Sequence, residues 1–224
     1  MKKFRILLFG ATGYVGSGVL DECLADKRVG TVTIVTRKRL KKKGKNNLKN
    51  KKLTEIIHTD LLDYSAIEDK LSGHDACLWC VGISRSQAKD EAEYTRITKN
   101  FTLAAATVLA RLNPDMTFVF ISGMGTDRKS GSMWARVKGE TEAALGKMKF
   151  KHQYNLRPGF IKSVSGQTHS NRLYRLFIPL FPLLKLLTPN TVITNREIGG
   201  VMIRLLETAP KKRTFENKEM RALL

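Results

Sequence analysis

The stretch Ile6–Gly16, Ile-Leu-Leu-Phe-Gly-Ala-Thr-Gly-Tyr-Val-Gly, decides the fold of this chain. A short apolar run ends there in three glycines spaced three apart, Gly10, Gly13 and Gly16. The pattern predicts a buried strand, a tight turn and a helix start, where glycine allows the turn, a close ligand and close helix packing. The N–H groups at such a helix start suit a pyrophosphate. A plain glycine-rich turn is the alternative, because the spacing is not the G-x-G-x-x-G of the general dinucleotide fingerprint.

Length and composition indicate one α/β domain. The 224 residues allow one substantial core, and a hydrophobic content of 42% excludes wholesale disorder. The three cysteines, Cys23, Cys77 and Cys80, give no disulfide framework, which points to a reducing, cytoplasmic setting. Cys77 and Cys80 form a C-x-x-C within an apolar run, so a buried strand is favoured over a metal or redox site, and we expect no metal. No apolar run has the length of a signal peptide core or a membrane span.

Charge is the unusual bulk property, since 40 Lys and Arg against 20 Asp and Glu give a net charge of +20. Residues 37–52 carry ten basic side chains and no acidic one, which is half of that excess. Such a run suits an anionic surface, either nucleic acid or a membrane, and a solvated loop is the alternative. No aromatic residue interrupts it, so a stacking platform for bases is not indicated.

Strands and helices alternate along the chain. After the opening strand, apolar residues at helical spacing predict a helix that fades near Lys27. Further strands are predicted at 31–36, 53–58, 75–81, 117–121 and 153–156, and helices at 94–112 and 195–206. This order predicts a Rossmann-like α/β fold, a doubly wound parallel sheet with helices on both faces, as one domain over residues 1–224. The basic tail from Lys211 gives no prediction.

The end of the second strand bears on the choice of cofactor. It reads Thr36-Arg37-Lys38-Arg39, without the acidic residue that bonds the 2′-hydroxyl of NAD. Arginine can accommodate a 2′-phosphate, so the sequence favours NADP(H) over NAD(H), unless Arg37 merely begins the basic loop. Asp60, just beyond the third strand, is a candidate acceptor for the adenine amino group, and a helix cap is its competing role.

Four short motifs together carry a family resemblance. They are the glycine motif 10–16, Ser122 at the end of the fifth strand, Val137-Lys138-Gly139-Glu140, and Arg157-Pro158-Gly159. On these residues the chain resembles the short-chain dehydrogenase/reductase superfamily, in its atypical branch, and within it the Tat-interacting oxidoreductase-like group. The resemblance covers most of the chain and is least convincing in the basic loop and the last ten or so residues.

The resemblance implies a catalytic set with one departure. Ser122 and Lys138 match the Ser and Lys of the superfamily, whereas Trp134 stands where the catalytic Tyr is found. An indole N–H is only a donor and does not exchange its proton near neutral pH, so Trp134 cannot act as the general acid. The implied cofactor-binding residues are Gly10, Thr12, Gly13, Tyr14, Val15, Gly16, Arg37, Lys38, Asp60, Leu61, Cys80, Gly82, Ser122, Lys138, Pro158 and Gly159.

Three functions therefore stay open. The protein is an oxidoreductase whose proton comes from Ser122, bound water or a substrate group; or it binds NADPH without turnover as a sensor or interaction protein; or it associates with another nucleotide or with nucleic acid.

The substrate is an unidentified small molecule, and a homodimer is a further expectation. Residues 158–194 are the expected substrate side. Within them, the apolar stretch 173–187 suits a core cover, a substrate lid, or a membrane-surface patch flanked by Arg172, Arg175 and Lys185.

Overall fold

A computed structural model describes residues 3–40, 50–165, 179 and 181–224 of the chain. Residues 41–49, which carry the middle of the basic run, lie outside the described residues. The same holds for 166–178 and 180, which contain Arg172, Arg175 and the first part of the apolar stretch, and for the side chain of Lys185. The predictions that fall on these segments therefore stay predictions.

The strands form a parallel seven-stranded sheet within the described residues, in the order β3-β2-β1-β4-β5-β6-β9. A separate parallel pair joins β7 to β8. The strands are β1 (Phe4–Phe9), β2 (Val29–Thr36), β3 (Leu53–Ile57), β4 (Ala76–Trp79), β5 (Thr117–Ile121), β6 (His152–Arg157), β7 (Phe160–Lys162), β8 (Val192–Thr194) and β9 (Thr214–Glu216). The predicted doubly wound sheet is confirmed.

The helices connect these strands in the expected alternation. They are α1 (Gly16–Ala25), α2 (Glu68–Leu71), α3 (Glu91–Thr95), α4 (Phe101–Leu112), α5 (Met133–Leu145), α6 (Phe181–Leu187), α7 (Asn195–Thr208) and α8 (Asn217–Ala222). The helix predicted at 94–112 begins earlier, at Glu91, and a π-helical turn at Arg96–Asn100 divides it into α3 and α4. Side-chain periodicity gave no sign of this turn.

Alternate side chains of β1 build the cores on the two faces of the sheet. Ile6 and Leu8 pack with α1 and α7, whereas Leu7 and Phe9 pack with α4, and all four side chains are fully buried. This is the two-residue period of a strand. It explains why a continuous apolar run, rather than an alternating one, marks a strand covered by helices on both faces.

The C-terminal tail belongs to the sheet, which the sequence did not predict. β9 pairs in parallel with β6 and forms the seventh strand, and α8 follows it directly. Only three residues of β9 pair, and Phe215 is its buried apolar side chain. So short a segment with one apolar contact carries no periodicity from which a strand could be read.

Candidate functional site

The glycine turn has the geometry that its sequence requires. Gly10 has φ +76°, and a Cβ there would lie 2.5 Å from the carbonyl oxygen of Cys80. A Cβ on Gly16 would lie 2.1 Å from the carbonyl oxygen of Gly10. The N–H of Gly13 donates to that same oxygen at 2.9 Å, closing the turn. The backbone therefore fits here only with glycine at both ends of the turn.

The N-terminus of α1 carries neither a side-chain cap nor an acidic residue in its first turn. The N-cap residue is Val15, which offers no side-chain acceptor. The contrast is α7, where Thr194 and Glu197 form a reciprocal capping box. The N–H groups of Ser17 and Gly18 donate to the backbone carbonyl oxygens of Gly13 and Val15, and the absence of any first-turn carboxylate or side-chain cap leaves this helix start suited to an anion.

A cavity opens above this turn, at the carboxyl ends of β1, β2 and β4. Its lining contains seven of the residues proposed for the cofactor: Gly10, Thr12, Gly13, Arg37, Leu61, Cys80 and Gly82. A Cβ on Gly82 would meet no atom of the described chain within 4 Å, so the cavity is open above this residue. Ile97 and Phe101 line it as well. Both lie in the helix predicted at 94–112, but the sequence assigned them no role in a site, because periodicity cannot distinguish a core residue from a cavity wall.

The other nine proposed cofactor residues stand outside that lining, among them Lys38, Asp60 and Tyr14. Lys38 is exposed, and Asp60 is exposed with its carboxylate accepting the N–H of Leu62 at 2.9 Å. The Tyr14 hydroxyl donates to the carbonyl oxygen of Ile161 at 3.0 Å and accepts the N–H of Ser163 at 3.1 Å. Tyr14 thus ties the glycine turn to the segment that follows β6.

Asn195 is a buried residue of this region that the sequence did not reveal. Its side-chain amide donates to the carbonyl oxygen of Tyr14 and to Oγ of Ser163, both at 3.0 Å, and its Oδ1 accepts the N–H of Val164 at 3.0 Å. It therefore joins α7 to the glycine turn and to the substrate side. Asn is common at helix starts, so its position in the sequence indicates a helix cap and does not predict these contacts.

Ser122 immediately follows β5, as predicted, and its hydroxyl lies 3.0 Å from that of Thr126. The Thr126 hydroxyl donates its one proton to the carbonyl oxygen of Gly123 at 2.8 Å. Ser122 is therefore the donor in the hydroxyl pair, and its own lone pairs remain able to accept a hydrogen bond. The sequence did not predict the role of Thr126. A serine and a threonine four positions apart in a loop do not indicate a hydrogen bond, because the contact depends on the turn between them.

Lys138 and Trp134 both lie on α5, one turn apart, and contact the turn that carries Ser122. The Lys138 ammonium donates to the carbonyl oxygen of Ile121 at 3.3 Å. The Trp134 indole packs on the backbone of the same turn, with its ring atoms 3.8 Å and 3.6 Å from where a Cβ would stand on Gly123 and Gly125. Burial lowers the pKa of Lys138 to about 8, and the nearby carboxylate of Glu142 counteracts part of this effect.

Pro158 and Gly159 connect β6 to the parallel pair of β7 and β8. The carbonyl oxygen of Pro158 accepts the N–H of Met124 at 3.0 Å. The N–H of Gly159 donates to Oδ1 of Asn217 at 3.2 Å, and a Cβ on Gly159 would lie 2.2 Å from the carbonyl oxygen of Thr191. These contacts hold the substrate-side segment against the Ser122 turn and against α8.

The helix of the apolar stretch is α6, which has apolar residues on both its buried and its exposed side. Phe181 is buried, whereas Leu183, Leu186 and Leu187 are 52%, 78% and 68% exposed. In residues 3–40, 50–165 and 181–224, no helix is long and apolar enough to cross a membrane. The same residues hold no group of three or more His, Cys, Asp or Glu side chains placed to bind a metal ion.

Comparisons with known proteins agree with this geometry. Residues 10–157 match the family model described as NAD(P)H-binding. The chain is 28% identical to Protein HTATIP2 of Rattus norvegicus over 163 residues, which are 72% of this chain and 64% of the rat protein, less than two thirds of its length. It is 28% identical to Protein FMP52-1, mitochondrial, of Scheffersomyces stipitis over 218 residues, 93% of this chain and 88% of that protein.

A solved structure extends the agreement to the whole fold. The Bordetella bronchiseptica enzyme WbmF, in complex with NAD+ and UDP, superposes with a TM-score of 0.70 at 14% identity, over 96% of this chain and 72% of WbmF. The fungal relative is named as mitochondrial, so the cytoplasmic location expected from the free cysteines stays a prediction. The glycine turn, the parallel sheet and the matched family model together show that this chain belongs to the NAD(P)H-binding family, as an atypical short-chain dehydrogenase/reductase with a Rossmann fold.

Proposed function

We propose that this protein is an NADP(H)-dependent oxidoreductase of a small carbonyl or hydroxyl compound, in which Lys138 and Ser122 act without a catalytic tyrosine. One observation carries the proposal. The Lys138 ammonium donates to the carbonyl oxygen of Ile121, the residue before Ser122, and both Lys138 and Ser122 lie at the same edge of the sheet as the cavity of the glycine turn. Ligands of open α/β sheets bind at this edge.

The residues present fit a dinucleotide. The uncapped start of α1 suits the pyrophosphate, and Leu61, Ile97 and Phe101 give apolar walls for the adenine. Arg37 lies in the cavity lining at the end of β2, where a cation would pair with a 2′-phosphate. Lys138 would bind the nicotinamide ribose, as the family resemblance implies.

The chain itself has to supply a proton to the substrate oxygen. The bound nicotinamide supplies hydride, and a donor with a pKa near the working pH gives the best proton transfer. Lys138 meets this condition with a pKa of about 8. Its ammonium can give a proton to the carbonyl oxygen directly or through one water, and the lone pairs of Ser122 can then accept a hydrogen bond from the hydroxyl that forms. The indole of Trp134 forms a wall beside them.

Arg37→Ala tests the cofactor preference. We expect the affinity for NADPH to fall by about 10-fold or more, because a charged hydrogen bond to the 2′-phosphate contributes about 1.5–3 kcal/mol, while the affinity for NADH changes little. Titration calorimetry with both cofactors measures the two affinities. Arg39→Ala is the matched control, since Arg39 is exposed on the same segment and does not line the cavity. Equal losses for both cofactors would contradict the 2′-phosphate role.

The pH profile of carbonyl reduction tests Lys138. Because the ammonium is the active form and its pKa is lowered to about 8, we expect the rate to be highest below pH 8 and to fall as the pH rises through that value. Lys138→Met should lower the rate by about 100-fold or more and flatten this part of the profile. Rates with a panel of aldehydes and ketones from pH 6 to 10 measure both effects. A wild-type rate independent of pH over that range would exclude Lys138 as the donor.

The second candidate is an NADPH-binding protein without turnover, which Trp134 at the tyrosine position favours. It predicts NADPH binding with no oxidation by any carbonyl of the panel. Measuring NADPH affinity and NADPH oxidation on the same preparation separates the two functions. Absence of NADPH binding would refute both.

A further inference from the structure

Arg157, Glu142 and Glu216 form an ion network behind Lys138. Arg157 holds both carboxylate oxygens of Glu142, from Nε at 3.0 Å and from Nη2 at 2.6 Å. Its third nitrogen, Nη1, donates to Glu216 at 3.1 Å. Glu142 is only 8% exposed, and a carboxylate so buried needs a partner of opposite charge to offset its desolvation. The network joins α5, β6 and β9.

Glu142 is also the natural partner of Lys138. The two residues are four positions apart on α5, so their side chains leave the same face of the helix. A lysine and a glutamate at this spacing commonly pair. Here they do not: the described residues contain no Lys138–Glu142 contact within 4.0 Å, and the Lys138 ammonium donates to the carbonyl oxygen of Ile121 instead. Arg157 competes for this carboxylate, because its fork donates to both oxygens of Glu142.

We propose that Arg157 is a positioning residue, which holds Glu142 away from Lys138 and so leaves the Lys138 ammonium directed at the Ser122 end of β5. The role of Lys138 rests on the proposed function. The competition of Arg157 and Lys138 for the Glu142 carboxylate does not depend on that function, because it is inferred from the hydrogen bonds of Arg157 and Lys138. Glu216 on β9 contacts the far side of the Arg157 guanidinium and takes no part in this competition.

The other charges around α5 are engaged elsewhere. On the outer side of the helix, Glu140 pairs with Lys99 of the π turn at 2.6 Å, and Arg136 pairs with Glu91 of α3 at 2.7 Å. β5 offers the Phe120 ring, whose centre is 5.6 Å from the Lys138 nitrogen. The charged residues of the segment packed against Gly139 are Asp127 and Arg128. Glu142 is therefore the carboxylate that a change at Arg157 would redirect toward Lys138.

Trace acetylation tests this arrangement without any cofactor. Acetic anhydride reacts with unprotonated lysine nitrogen, and peptide mass spectrometry gives the extent of labelling of Lys138 at each pH. In wild type we expect half-maximal labelling near pH 8. In Arg157→Met the freed Glu142 pairs with Lys138, so the midpoint should rise by about one pH unit or more. Glu142→Gln should lower the midpoint, because the carboxylate that favours the ammonium is lost.

The double variant Glu142→Gln/Arg157→Met is the decisive member of the set. If Arg157 acts through Glu142, the double variant titrates like Glu142→Gln, with no rise. A rise that persists in the double variant, or an unchanged midpoint in Arg157→Met, would overturn the proposal. Glu216→Gln is the control, since it leaves the two Arg157–Glu142 contacts in place and should shift the midpoint little.

Folding and cofactor binding are measured on the same variants. Arg157→Met leaves Glu142 without its buried partner, and circular dichroism shows whether the variant folds. If it does not, Arg157→Lys replaces it, because lysine keeps the charge but cannot hold both oxygens, and a smaller rise is expected. A labelling shift in a protein that binds no NADPH would uphold the positioning role of Arg157 and refute the proposed function.

Discussion

Gly16→Ala is expected to lower the affinity for NADPH by about 100-fold or more. The new Cβ would stand 2.1 Å from the carbonyl oxygen and 2.7 Å from the carbonyl carbon of Gly10, and real Cβ atoms essentially never approach so closely. Both atoms are backbone, so the turn itself has to open and α1 has to move. The N–H groups at the start of α1 would then no longer point to the place where the pyrophosphate binds.

Titration calorimetry of NADPH on Gly16→Ala measures this loss, and thermal unfolding shows whether the fold persists. Gly131→Ala is the matched control, because a Cβ there meets no atom of the described chain within 4 Å. Its affinity and melting temperature should stay close to those of wild type. A folded Gly16→Ala that binds NADPH as tightly as wild type would show that the pyrophosphate does not lie over this turn.

Trp134→Tyr is expected to raise the rate of carbonyl reduction by about 100-fold, the usual contribution of a positioned general acid. Position 134 lies one helical turn before Lys138, so a phenol there would share the helix face of the ammonium. The ammonium would lower the pKa of that phenol, as an opposite charge favours the ionised form. A tyrosine is smaller than the indole that now packs on Gly123 and Gly125, so the space suffices.

Two further variants make this prediction specific. Trp134→Phe removes the indole without adding a hydroxyl, and it should not show the gain. Trp134→Tyr combined with Lys138→Met should lose most of the gain, because the phenol then lacks its neighbouring cation. Equal rates for Trp134→Tyr and Trp134→Phe would mean that the indole blocks the site sterically. NADPH binding without turnover in every variant would favour the non-catalytic candidate.

The sequence predicted most of the fold because the signals of this fold are local. An apolar strand such as Ile6–Phe9 followed by glycines and a helix pattern is specified within a dozen residues. β5 was predicted with both ends correct, and Ser122 was placed at its end for that reason. β9 was missed, since three residues with one buried side chain give no pattern.

The sequence predicted only those residues of the candidate site that belong to a family motif or lie at the end of a strand. Seven cofactor candidates line the cavity, because they lie directly after strands whose carboxyl ends meet at one edge. Asp60 and Lys38 also follow strands, yet they lie outside the lining. The direction of a side chain after a strand depends on the conformation of the local turn, and the neighbouring residues here did not predict that conformation.

By itself, the sequence determined that this chain forms a parallel sheet around a glycine turn that can hold a dinucleotide, and that Trp134 stands where related proteins carry a tyrosine. Only the tertiary structure decided which carboxylate Arg157 binds, how Asn195 ties α7 to the glycine turn, and that the ammonium of Lys138 faces the end of β5. The reason is physical. Secondary structure follows from periodicity over neighbouring residues, whereas these contacts join residues 15 to 181 positions apart, and their partners are chosen by packing.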